Sequence, residues 1–100
     1  TDAEAYNSLA WLLATCPDEK YRDGQKAVSI ARRACELLGW KNAHVLATLS
    51  AAYAESGQFA EAVKWQTKAI ELAPAGVKAE LQSHLKLYQA RKPYRQNAAK

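Results

Sequence analysis

Apolar residues recur at helical spacing in blocks along the chain, separated by short polar, glycine or proline breaks. The clearest stretch is 43–74, around which the rest of the chain is organised. Leu46, Leu49 and Tyr53 share a face, Ser56-Gly57-Gln58 interrupts it, and Phe59, Ala62, Trp65, Ala69 and Leu72 resume it until Pro74. Spacing of i, i+3, i+4 and i+7 marks a helix burying one face. Two such helices joined by a glycine turn predict an αα-hairpin. Ala62 and Ala69, one heptad apart, offer only methyl groups where the two helices approach.

The same pattern appears earlier. Tyr6, Leu9, Ala10 and Leu13 form one face, with Trp11 and Leu12 outside it, so this helix is apolar most of the way round. It stops at Cys16-Pro17, because a proline disfavours helix at the residue before it. A polar loop over 17–24 follows, and Asp23 is placed to cap a second helix whose stripe is Ala27, Ile30, Ala31, Ala34, Leu37 and Leu38. Gly39 sits where a helix ends in a left-handed residue, and Asn42 can cap the next. After Pro74, Val77, Leu81, Leu85 and Tyr88 form one face of a fifth helix whose other face is polar, with His84 read as a packing residue beside the stripe. Thr1-x-x-Glu4 reads as a capping box at the start, and Pro93 as the stop at the end. The expectation is all-α, with helices near 3–15, 24–38, 43–56, 58–72 and 76–90.

Composition narrows the function more than the fold. One hundred residues with 49% hydrophobic content suit one domain with a modest core. No apolar run reaches the roughly 18 residues that span a bilayer. No leader segment opens the chain, but the Thr1 start is compatible with a partial or processed product, so that absence decides nothing. Cys16 and Cys35 have neither C-x-x-C spacing nor a histidine partner at metal-ligand spacing, and His44 and His84 stand apart, so no metal site or cofactor is expected. The cysteines read as small buried thiols, too far apart along the hairpin to pair, and a cytoplasmic setting agrees with that. No G-x-S-x-G, phosphate-cradling glycine loop or H-E-x-x-H is present. Asp18, Glu19 and Asp23 mix with Lys20 and Arg22 in a solvated turn, unlike an acid/base pair in an apolar pocket. A catalytic role is therefore not expected.

Charge divides unevenly. Residues 1–76 carry eight Lys or Arg against nine Asp or Glu, and residues 77–100 carry six against one, which together give the net charge of +4. The excess lies largely in Arg91, Lys92, Arg95 and Lys100 of a tail whose aromatic is Tyr94. Such a tail can contact phosphates or acidic surfaces, or serve only as a solvated terminus.

Leu46-x-x-Leu49-Ser50-x-x-Tyr53, followed by Gly57, Phe59, Ala62, Ala69 and Pro74, resembles one tetratricopeptide repeat. Leu46, Ser50 and Gln66 stand where that family usually has tryptophan, glycine and an aromatic, and Trp65 lies one place early. Ala27 and Ala34 precede Ala62 and Ala69 by 35 positions each, so the first hairpin resembles a degenerate repeat with an expanded inner turn. The run at 11–18 is similar to repeats found near the ends of large bacterial multidomain proteins. The resemblance implies a right-handed superhelix of αα-hairpins over 1–90: repeats at 3–41 and 43–76, a capping helix at 77–90, then a basic tail at 91–100.

It also implies a function. In this family the first helix of each repeat lines a concave groove that takes an extended protein or peptide partner. Carried onto this chain, the groove residues are Asn7, Trp11, Thr15, His44, Ala47, Thr48, Ala51 and Glu55. Trp11 and Thr48 stand where a carboxylate clamp needs asparagine, so no clamp is expected. The plainer reading of Trp11 is packing between the hairpins. The expectation is a non-enzymatic interaction module for a protein or peptide of unspecified identity, with no small-molecule substrate and no membrane. The alternatives are a structural cap of a longer array, self-association, or nucleic-acid contact through the tail. Groove and tail are alternative places for that function, and a salt titration separates them.

Overall fold

The computed structural model describes residues 2–95. Thr1 of the expected capping box and residues 96–100 of the basic tail lie outside the described residues. Among the described residues the protein is all helical, with five α-helices and no strand: α1 (Asp2–Thr15), α2 (Gly24–Leu37), α3 (Ala43–Glu55), α4 (Phe59–Leu72) and α5 (Ala75–Gln89). A 3-10 turn over Glu19–Tyr21 shapes the long α1–α2 loop. None of these helices is long and apolar enough to cross a membrane.

Local capping sets most of these boundaries. The Asp23 carboxylate accepts from the Lys26 amide at 3.1 Å, and Asn42 Oδ1 accepts from the Val45 amide at 3.1 Å. Gly39 at φ +72° and Gly57 at φ +83° end α2 and α3 in left-handed turns. The Trp40 amide donates to the Cys35 carbonyl at 2.9 Å, and the Gln58 amide to the Tyr53 carbonyl at 2.9 Å. These are the crossed bonds of a Schellman turn, which pair carbonyls the helix end would leave bare. α5 ends the same way without a glycine. Arg91 takes φ +61°, the Lys92 amide bonds the Leu87 carbonyl, and the chain reverses before Pro93 is reached.

α1 with α2, and α3 with α4, form two helical hairpins; α3 packs across both α1 and α2, and α5 packs on α4. Helix α3 is the centre of the molecule, since every residue from Val45 to Ala54 is buried. Methyl-sized contacts bring the helices together as the heptad spacing predicts: Ala27, Ala34, Ala62 and Ala69 expose no surface. Gly24 allows an even closer approach. A Cβ there would lie 2.7 Å from the Ser56 amide nitrogen, so the first turn of α2 rests directly on the end of α3.

The faces differ from expectation in places. On α1, Ala3, Ala10, Ala14 and Thr15 are buried, while Tyr6 and Leu9 of the expected stripe are exposed. Leu37, Leu38 and Leu72 are exposed as well, because each lies at a helix end where no neighbouring helix covers it. On α4 the buried row is Ala62, Gln66 and Ala69. Gln66 donates from Nε2 to the Leu81 carbonyl at 2.8 Å and so ties α4 to α5. On α5 the buried residues are Leu81, His84 and Tyr88, so His84 lies on the packed face itself.

Candidate functional site

Between α1, α3 and α5 runs a cavity of about 270 Å³. Asn7, Ser8 and Trp11 line it from α1, His44, Ala47 and Thr48 from α3, and Val77, Glu80, Leu81 and His84 from α5. It adjoins a second hollow of about 400 Å³ near the start of α3, which shares His44, Val77 and Leu81 with it. Together they form a trough. The helices that frame it are fixed from behind: Asn42 starts α3 so that His44, Ala47 and Thr48 face the trough, and Gln66 holds α5 through the Leu81 carbonyl.

Five of the eight expected groove residues are thus brought together: Asn7, Trp11, His44, Ala47 and Thr48. Thr15 and Ala51 do not join them, as both expose no surface. Thr15 turns its hydroxyl back onto the Trp11 carbonyl at 2.7 Å, and Ala51 packs in a cluster with Ala14, Ala27 and Ala52. Glu55 is committed to two arginines. Arg22 Nε lies 3.4 Å from Glu55 Oε2, an ion pair without hydrogen-bond geometry, with both side chains largely shielded. Arg22 itself is fixed by donating to the Cys16 carbonyl at 2.7 Å and the Pro17 carbonyl at 3.1 Å. The α1–α2 loop therefore holds one guanidinium against Glu55.

The second arginine comes from the tail. Arg95 Nε donates to Glu55 Oε1 at 3.2 Å and its Nη2 to Oε2 at 3.3 Å, a two-pronged contact between residues 40 positions apart. Beside it, the Tyr94 ring stacks on His84 with centroids 4.0 Å apart and tilts against Trp11 at 5.7 Å. Tyr94 and Arg95 of the tail therefore meet the groove residues Trp11 and Glu55, a contact the sequence does not foresee. Trp11 has two roles at once: it packs on the alanine cluster and lines the cavity.

Two electrostatic features mark the site. Burial holds the His84 pKa below its ordinary value, with Glu80 pulling the other way, so the imidazole facing Tyr94 is neutral at physiological pH. Asn7 Oδ1 is buried with no hydrogen-bond partner among the described residues, although Asn7 lines the cavity. An orphan amide of this kind suits an incoming donor. Among the described residues no group of three or more His, Cys, Asp or Glu side chains is arranged to hold a metal ion. Cys16 and Cys35 are both free thiols, with Cys35 buried and its pKa pushed up to about 11 by desolvation.

The α5 wall and the two tail residues are absent from the sequence-derived site. Leu81, His84 and Tyr88 recur at i, i+3 and i+7, a period that is enough to place His84 on the inner face. Nothing periodic announces Tyr94 or Arg95. Comparison with family models, with curated proteins and with solved structures finds no match for this chain.

Proposed function

We propose that this chain is a tetratricopeptide-like interaction module that binds an extended segment of a protein or peptide partner in the trough between α1, α3 and α5, without catalysis. The observation that carries this reading is the cavity itself, which gathers Asn7, Trp11, His44, Ala47 and Thr48 from two hairpins. An aromatic ring, a methyl floor and an unpaired amide supply apolar contact and one point of hydrogen-bonded register. Extended peptides need both for affinity and orientation. The two hairpins with α5 over the second suit a short right-handed stack, and two free thiols suit a reducing, cytoplasmic setting.

Ala47→Arg tests the reading, because it would fill the floor of the trough while leaving the helix intact. Partners recovered with the unaltered chain should be lost with this variant, at unchanged helicity by circular dichroism. Recovery of the same partners would place the interaction elsewhere. One observation favours a second reading. Tyr6, Leu9 and Leu12 are exposed together on α1, a face suited to cover by another hairpin or a second copy, as a cap or self-associating unit requires.

A further inference from the structure

Residues Lys92–Arg95 leave α5 through the left-handed turn at Arg91 and run without regular structure onto the groove wall. Tyr94 and Arg95 there make the kinds of contact that a bound peptide makes. An aromatic ring sits between Trp11 and His84, and a guanidinium closes on a carboxylate that the domain has already oriented. Glu55 is shielded and held by Arg22, with its remaining face taken by Arg95, whose own side chain is 45% exposed. A shielded carboxylate with one fixed cation still accepts a second, and it discriminates against acidic segments.

Building on the interaction-module reading above, we infer that the groove recognises an extended segment carrying an aromatic residue followed by arginine, and that Tyr94–Arg95 occupies this subsite as a built-in competitor. The aromatic lies against Trp11 and His84, and the arginine pairs with Glu55. Tyr94 and Arg95 are not among the residues that line the cavity beside Trp11. A partner in trans can therefore fill both the aromatic–arginine subsite and the cavity, whereas Tyr94 and Arg95 fill only the first. This difference lets a partner displace a segment that has the advantage of tethering. Charge agrees with the assignment. The tail belongs to the stretch 77–100, which carries six basic residues against one acidic, and it docks on the otherwise near-neutral body of the chain.

The test uses the full chain and a labelled peptide of the tail sequence Arg-Lys-Pro-Tyr-Arg, read by fluorescence anisotropy. The unaltered chain should bind it weakly. The double variant Tyr94→Ala, Arg95→Ala should bind it about tenfold more tightly, the factor expected if the tail closes the subsite nine-tenths of the time. Peptides with Tyr replaced by Ala, or the final Arg by Gln, should lose most of that gain, and neither change touches the fold of the protein. Equal binding by both proteins would overturn the competitor role. Equal binding of the three peptides would overturn the aromatic–arginine assignment. Adding Trp11→Ala to the double variant separates this inference from its foundation. If binding of the intact peptide survives that change, the aromatic does not lie against Trp11 and the assignment falls, while Ala47→Arg still decides the groove reading. If other extended peptides bind in a Trp11-dependent way while this one does not, the groove stands and the assignment falls.

Discussion

At the scale of single residues, His84 shows how burial becomes a measurable property. Its imidazole is packed on α5, stacked on Tyr94 and one turn from Glu80. Desolvation lowers its pKa, so the unfolded chain takes up a proton at a higher pH than the folded one does. Stability should therefore be unaffected by this group above the ordinary histidine value of about 6.5 and should fall as pH drops below it. The fall levels off once the folded imidazole also protonates. Urea denaturation at pH 7.5 and 5.5 should show this loss, and His84→Gln should reduce it. An equal loss in the variant would assign the effect to other groups. The sequence identifies His84 as a packed residue but not as groove lining, because the helix that carries it is expected only to cap the stack. Gln66 escapes a reading by apolar period, since a buried amide interrupts the count on which helix faces are judged. Its partner, the Leu81 carbonyl, is a tertiary contact with no sequence signature.

At the scale of helices, the chain is most legible. Caps and glycine turns are short-range, so Asp23, Asn42, Gly39 and Gly57 mark the same ends in sequence and structure. The alanine heptads are legible for a similar reason, since a repeated methyl at the inner face signals close approach. Replacing Ala62 or Ala69 by leucine should cost about 1–3 kcal/mol, as an overpacked contact must strain or shift. Gly24→Ala should fall in a similar range of about 1–3 kcal/mol, because its methyl would meet backbone that cannot rotate away. Chemical denaturation measures all three, and unchanged midpoints would show that these helices do not touch where described. Exposure is less legible. Leu37, Leu38, Leu72 and Leu9 lie on apolar faces, but periodicity identifies a face without saying whether another element reaches it.

At the scale of the whole molecule, the trough depends on how three helices and a tail assemble. Residues from α1 and α3 are foreseeable because a repeat resemblance carries positions over one by one. The α5 wall is not, and neither is the return of the tail. The Glu55–Arg95 pair joins residues 40 apart through an aperiodic segment, where no spacing rule applies. In sequence, the basic residues at 91–95 read as a solvated terminus or a phosphate contact, because the partner of Arg95 lies on another helix. A second aromatic surface lies apart from the trough, where Trp40 and Trp65 meet at 5.3 Å and Arg32 and Lys64 each lie over one of the rings. That surface is an internal control. The most direct measurement is a two-dimensional NMR titration of the Tyr94→Ala, Arg95→Ala variant with the Arg-Lys-Pro-Tyr-Arg peptide. Binding at the aromatic–arginine subsite predicts shifts at the Trp11 indole, His84 and Glu55, with Trp40 and Trp65 unmoved. Shifts centred on Trp40 and Trp65, or none at the Trp11 indole, would contradict it.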